Sequence, residues 1–175
     1  MEIYQPAEDS YLFSDFLKIY LSKNKINSYL DMGTGSGILS ETASNFLDKK
    51  YILATDINPD AIKLLKKNKL NAIKSNLFSK VKENFDLITF NAPYLPFDPR
   101  EPKSSQVATT GGKNGDEISI EFIRQAKKHL NKNGKIFLLI SSLTPMNKIK
   151  RFKHKIVARK KIFMEELLIL EFTSS

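Results

Sequence analysis

The sequence predicts an α/β fold, Rossmann-like, with a mostly parallel sheet, helices on both faces and an antiparallel hairpin at its C-terminal end. Three observations predict it. Short apolar runs alternate with longer stretches of helical periodicity, the signature of βαβ units. Glycines cluster at 33, 35 and 37, where the first apolar run gives way to a helical pattern. From about residue 155 the chain reads as two consecutive strands with no helix between them, which brings an antiparallel strand into the sheet.

Taken in order, residues 8–22 (EDSYLFSDFLKIYLS) place Leu12, Phe13, Phe16, Leu17 and Tyr20 at helical spacing, so an amphipathic helix leads the chain. SYLDM (28–32) is the first strand, and the glycine loop opens a helix to about Leu47. YILATD (51–56) is the second strand. Asn58 reads as an N-cap with Pro59 at the first helical position, starting a helix to about Lys69. A short third strand follows near 72–75, and FDLITF (85–90) is the fourth. Four of the seven prolines fall between 93 and 102 and three further glycines at 111, 112 and 115, marking a long loop from about 95 to 114. Asp116 starts a helix that turns Ile118, Phe122, Ile123 and Ala126 inward, and Asn133-Gly134 ends it. KIFLLIS (135–141) is the fifth strand. Pro145 opens a helix to about Lys153, and the final strands span about 155–162 and 166–173.

A chain of 175 residues suits one domain, 1–175, with 1–27 as a helical segment packed on it. Apolar residues make up 41 %, enough for a core. With no Cys, disulfides, thiolate chemistry and Cys-based zinc sites are excluded, and His129 and His154 alone do not make a histidine-rich metal site. No apolar run approaches the roughly 20 residues that span a bilayer, and no signal-peptide pattern opens the chain. A soluble cytoplasmic protein, with no membrane partner, is expected. The net charge is +9, and residues 148–161 (KIKRFKHKIVARKK) hold eight Lys or Arg and no acid. This run is a patch for nucleic acid or a solvated helix and edge strand. Its only aromatic, Phe152, favours the second.

DMGTGSG (31–37) lies where the first strand meets a helix. Glycine lets the backbone turn sharply and lets a ligand approach without a Cβ in the way. The free N–H groups at a helix start favour phosphate or carboxylate. The spacing is G-x-G-x-G, not the G-x-G-x-x-G of the dinucleotide fingerprint. Asp56 ends the second strand 19 residues beyond Gly37, where a carboxylate can accept both hydroxyls of a ribose. Alone, the loop could be an empty turn and Asp56 a helix cap. Together at strand ends they point to a nucleoside held outside the carboxyl ends of the strands.

NAPY (91–94) ends the fourth strand at the same rim. An amide or exocyclic amine nitrogen is a poor nucleophile, because its lone pair is delocalised. A site that accepts both its hydrogens aims the nitrogen and favours pyramidal geometry as positive charge develops. Asn91 offers a side-chain carbonyl and Ala92 its backbone carbonyl. Pro93 stiffens that carbonyl through its fixed φ, and Tyr94 can stack on a flat group. Such dipoles are worth about 3 to 4 kcal/mol in the transition state, by analogy with oxyanion holes. In-line positioning adds about 7 to 11 kcal/mol in favourable cases. N-x-P is also an ordinary strand-to-loop exit. Proximity to the nucleoside site favours the cradle.

With these parts in place the chain resembles class I S-adenosylmethionine-dependent methyltransferases. It is most similar to the HemK-type protein glutamine N5-methyltransferases, in their short archaeal and eukaryotic branch. The matching stretches are YQPAEDSYL (4–12), LDMGTGSGILS (30–40), TDINPDAI (55–62), FDLITFNAPYLP (85–96) and GGKNGDEI (111–118), in family order. The resemblance implies a seven-stranded sheet and S-adenosylmethionine as cofactor. In it Gly33, Gly35 and Gly37 border the methionine part, Asp56 holds the ribose, and Asp31, Thr34, Ile57 and Asn91 are further cofactor-binding residues. Residues 75–77 (SNL) match a D-L position at the adenine, with Asn76 in place of the acid and Leu77 beside it. Glu8, Asp9 and Ser10 match an N-terminal motif near cofactor and substrate, and the substrate falls to Glu8, Asn91 and Tyr94. A helix start that favours acids explains those acidic residues equally. The family motif is normally N-P-P-Y; here Ala92 replaces the first proline, which keeps both acceptors and loosens the backbone.

The resemblance implies methylation of the glutamine of a Gly-Gly-Gln motif in a peptide chain release factor. Adenine N6 methylation of DNA or RNA needs the same cradle, and a lysine amine is a further acceptor. Enzymes that flip bases from a duplex use extra recognition elements, and only the 95–114 loop remains after the sheet is assembled, which favours a protein loop. The third reading is a non-catalytic scaffold. A small zinc-binding activator protein, pairing with the edge strand near 71–78, is the implied partner.

Overall fold

The computed structural model describes residues 3–174, and the chain folds into a seven-stranded sheet of order β3-β2-β1-β4-β5-β7-β6. Strands β1 (Tyr29–Met32), β2 (Ile52–Asp56), β3 (Ala72–Lys74), β4 (Phe85–Asn91) and β5 (Leu130–Ser141) pair in parallel. The hairpin β6 (Lys155–Ile162) and β7 (Glu165–Thr173) joins with β7 antiparallel to β5.

Period-2 alternation in the strands sends neighbouring residues to opposite faces. Tyr29, Leu87 and Phe137 meet helix α1 (Glu8–Lys23), through Phe13 and Leu17, and helix α2 (Ile38–Ala43), through Leu39 and Ala43. Leu30, Ile88 and Leu138 meet helix α5 (Glu117–Ala126), through Phe122 and Ile123, on the other face. Phe137 is held edge-on by Phe16 and Tyr20, each with ring centroids 4.8 Å away, a geometry that complements the ring quadrupoles. Helix α3 (Pro59–Lys67) packs Ile62 and Leu65 on Ala54 and Ala72. Its start is as expected, since Asn58 Oδ1 accepts from Asp60 N–H at 2.9 Å.

Four boundaries differ from the sequence expectations. Helix α2 stops at Ala43 rather than near Leu47, because the Ser44 hydroxyl and Asn45 amide bond back to the Glu41 carbonyl, in competition with the helix ladder. Helix α5 ends at Ala126, well before Asn133-Gly134; the strand already begins at Leu130. Asn133, at φ 66°, and Gly134 instead form an irregularity opposite Phe85–Leu87 in the β4–β5 ladder, a bulge within one strand. Helix α6 (Met146–Ile149) makes one turn and not two, because beyond buried Ile149 only Phe152 could face the core. The proline-rich loop carries a helix the sequence did not predict, α4 (Lys103–Thr109), anchored where Thr109 and Thr110 hydroxyls donate to Glu101.

Parallel pairing brings the ends of β1, β2, β4 and β5 to one rim. Met32 lies opposite Thr55 on one side and Phe90 on the other, so the chain leaving β1 passes between Asp56 and Asn91. The β6–β7 hairpin reaches the same rim, with Leu167 opposite Ser141.

Candidate active site

The turn leaving β1 is built for close approach. Gly33 has φ +60°, and a Cβ there would lie 2.6 Å from the Phe90 ring. Only a residue without a side chain fits. The loop is then fastened to β2: Thr34 N–H donates to the Thr55 carbonyl at 2.9 Å, and Gly35 N–H to Asp56 Oδ2 at 2.8 Å. Asp56 Oδ1 accepts from Asn58 N–H at 2.8 Å. Burial raises the Asp56 carboxyl above its ordinary value, against the pull of the Asn58, Gly35 and Ile57 N–H groups. With about four lone-pair sites, the carboxylate keeps acceptor capacity beyond these three donors.

Asp31, one residue before β1 ends, is almost wholly buried. Its Oδ2 takes three donors, the Thr34 hydroxyl at 2.7 Å, the Ser40 hydroxyl at 2.6 Å and Ser40 N–H at 3.1 Å. Its Oδ1 takes none among the described residues. Burial pushes the carboxyl from the ordinary 3.8 to about 6, opposed by the Ser40 and Thr34 hydrogen bonds.

Asn91 closes β4. Its Nδ2 donates to Asp9 Oδ2 at 2.9 Å and reaches Ser10 Oγ at 3.5 Å, while its buried Oδ1 has no partner among the described residues. The following NAPY backbone is clamped from outside. Leu95 N–H donates to the Thr109 carbonyl at 2.9 Å, and Gly111 N–H to the Leu95 carbonyl at 2.8 Å. A Cβ on Gly111 would lie 2.6 Å from the Pro93 carbonyl, and one on Gly115 2.6 Å from the Tyr94 carbonyl. The glycines of GGKNG therefore let one backbone lie directly on the other, a restraint on NAPY that does not depend on a proline at position 92. Tyr94 is half-buried, and burial with the charges of Asp9 and Glu165 raises its hydroxyl, so it stays protonated.

These groups surround one cavity of about 360 Å³. Among the expected site residues, Asp31, Gly33, Thr34, Gly35, Asp56, Ile57, Asn76, Leu77, Asn91, Ala92, Pro93 and Tyr94 line it. Two do not. Gly37 caps α2 and faces the Leu65 side chain, and Glu8 is exposed and paired with Lys160 of β6. Asp9 and Ser10 line the cavity beside Asn91, and so do Tyr4, Phe90, Ile118 and, from α4, Ala108 and Thr109, which sequence reasoning missed. For Tyr4 a signal existed, since it opens the YQPAEDSYL stretch. Helix α4 offered none, because KSSQVAT is too polar to show a period.

Four buried side-chain polar atoms lack a partner among the described residues, and two of them, Asp31 Oδ1 and Asn91 Oδ1, belong to residues lining this cavity. A buried acceptor without a donor costs about 1–3 kcal/mol, and of the four only these two lie where a ligand in the cavity could supply the hydrogen. One is a carboxylate suited to a cation, the other a neutral carbonyl suited to an N–H. Among the described residues no cluster of His, Cys, Asp and Glu is arranged to hold a metal ion, and no helix is long and apolar enough to cross a membrane.

Comparison with known proteins gives this cavity a context. Residues 13–164 match the methyltransferase small domain. A protein of Methanocaldococcus jannaschii, whose name places it provisionally among the protein N5-glutamine methyltransferases, is 42 % identical over 97 % of this chain and 90 % of its own length. The release factor glutamine methyltransferase of Lactococcus lactis is 30 % identical over 72 % of this chain and 52 % of its own. Among solved structures, the ribosomal protein L11 methylase of Lactobacillus delbrueckii superposes with a TM-score of 0.69 at 20 % identity, covering 98 % of this chain and 90 % of that one.

Proposed function

The chain belongs to the methyltransferase small-domain family, and on that premise we propose that it methylates the side-chain amide nitrogen of a glutamine, in the Gly-Gly-Gln motif of a peptide chain release factor. It is an S-adenosylmethionine-dependent methyltransferase. When bound, that cofactor supplies an electrophilic methyl carbon on a sulfonium.

The donor set of the cavity fits this cofactor. Asp31 Oδ1, buried and unpartnered among the described residues, suits its ammonium, and the acceptor capacity left on Asp56 suits the ribose hydroxyls. Ile57, Asn76 and Leu77 border the place for the base, and Gly33, Thr34 and Gly35 the place for the methionine chain. The observation that carries the reading is Asn91 Oδ1, an acceptor without a partner beside these groups. It takes a hydrogen from the substrate amide and aims the nitrogen lone pair into the cavity; Tyr94 flanks the planar group. Tyr4, Tyr94 and, from α4, Ala108 and Thr109 flank the cavity.

Asp56→Ala is expected to raise the cofactor Kd about 10- to 100-fold in calorimetry, the worth of two lost hydrogen bonds at about 1 kcal/mol each. Equal affinity in the variant removes its ribose role. The function itself is tested with labelled cofactor, purified release factor, the same factor with its glutamine replaced, and single- and double-stranded nucleic acid. Label that follows the glutamine is the expected result. Label in adenine instead, recruited through the basic 148–161 run, overturns it. The assay is run with and without a small zinc-binding activator, which we propose pairs with the three-residue edge strand β3. Translation termination would place the protein in the cytoplasm.

A further inference from the structure

We propose that Asp9 is a positioning residue that fixes the Asn91 amide in the one orientation competent for catalysis; this rests on the reading of Asn91 as the acceptor for the substrate N–H. Asp9 is 5 % exposed and sits in the first turn of α1, not on the sheet. Among the described residues every partner it has is a donor. The Tyr4 hydroxyl lies 3.0 and 3.1 Å from its two oxygens, Ser10 N–H 2.7 Å and the Ser10 hydroxyl 3.3 Å from Oδ1, and Asn91 Nδ2 2.9 Å from Oδ2.

A side-chain amide has two nearly isosteric orientations, which differ in which end donates. In one, Asn91 turns its NH2 to Asp9 and leaves Oδ1 to the cavity. In the other, its carbonyl oxygen would face a carboxylate oxygen, lone pair against lone pair, and two N–H donors would face the substrate. The acceptor-only carboxylate permits the first and forbids the second. A hydrogen bond to an ionised group is about twice as strong as a neutral one, and here it also carries direction. Asp9 thereby does for Asn91 what a carboxylate behind a metal-bound histidine does for the imidazole. The YQPAEDS stretch thus acquires a role beyond starting a helix: Tyr4 and Ser10 hold Asp9, and Asp9 holds Asn91.

Asp9→Asn is the discriminating variant because it keeps shape and reverses polarity. Ser10 N–H, the closest donor, retains the carbonyl end, so the new NH2 points at Asn91. The Asn91 amide must then flip and present donors to the cavity. Wild type, Asn91→Ala and Asp9→Asn are compared for kcat and KM with release factor and labelled cofactor, for cofactor Kd by calorimetry, and for solvent exchange of the Asn91 side-chain NH2 by NMR without cofactor. The expected result is a kcat lowered about 10- to 100-fold in Asp9→Asn, the range for loss of a group that orients a reacting ligand. Cofactor Kd and release-factor KM stay near wild type, and the Asn91 NH2, slow to exchange in the wild type, exchanges quickly. An unchanged kcat in Asp9→Asn beside an inactive Asn91→Ala overturns the role of Asp9. Full activity in Asn91→Ala overturns instead the reading of Asn91 as the acceptor for the substrate N–H. In that case the NMR still decides the orientation, and fast exchange in the wild type, which needs no variant to fold, refutes it.

Discussion

Replacing Asn91 with alanine is expected to lower the rate of methyl transfer about 10²- to 10³-fold, the cost of removing one preorganised dipole from the transition state. The amide nitrogen gains positive charge as the methyl carbon approaches, so its N–H becomes a stronger donor and Asn91 Oδ1 is worth more in the transition state than in the ground state. Only such differential binding accelerates the step. The loss should therefore appear in kcat and kcat/KM alike, with little change in KM. Cofactor affinity should hold, because Asp31, Asp56 and the glycine loop remain in place. Stability should fall by only about 1 kcal/mol, since Asp9 keeps its bonds to Tyr4 and Ser10 when the Asn91 donor is removed. Single-turnover measurement with saturating cofactor, beside a thermal melt, separates the chemistry from folding. Turnover near the wild-type rate in a folded variant removes NAPY from the mechanism.

How much of this was legible in the sequence follows from the range of each signal. Strand order at the rim depends on local patterns and on the rules for parallel pairing. DMGTGSG, Asp56 and NAPY are therefore brought to one edge by the sequence alone, and the antiparallel finish follows from a missing helix. What sequence could not supply was which way an amide turns. The Asn91–Asp9 contact joins residues 82 apart, and nothing in the acidic start of α1 distinguishes a helix-dipole partner from a hydrogen-bond clamp. Glu8 and Asp9 look alike in the motif. The helix turns one toward Lys160 in solvent and the other into the core. The GGKNG run marked the end of a long loop without saying what it packs against. Gly111 and Gly115 lie against the Pro93 and Tyr94 carbonyls, a contact between backbones that side-chain patterns do not encode. Asn133-Gly134 misled for a related reason, because the same dipeptide ends a helix or bulges a strand according to its partner, here β4.

Asp31→Asn should move stability and affinity in opposite directions. In the free protein the Asp31 carboxyl is pushed from 3.8 to about 6, chiefly by burial. The native state then holds more protons than the unfolded chain between about pH 4 and pH 6. Stability falls as pH rises through that window, and the penalty is complete above pH 6. At 1.36 kcal/mol per unit it is on the order of 3 kcal/mol. An amide carbonyl can keep the three donors that converge on Oδ2 and carries no charge to bury. The new NH2 takes the place of the buried, unpartnered Oδ1 and costs about 1–3 kcal/mol. The variant should therefore be more stable than wild type at pH 7–8 by at most about 2 kcal/mol and lose that advantage as pH falls toward 4. Its cofactor Kd should rise at least about tenfold, because a charge-assisted contact to the ammonium becomes a neutral one. Wild-type affinity should weaken as pH drops through 6 and that of the variant should not. The carboxylate is then a stability cost kept for the cofactor, as functional sites often show. A variant that melts lower at pH 8 would overturn the stability cost, and one that binds cofactor as tightly as wild type would overturn the role of Asp31 in holding it.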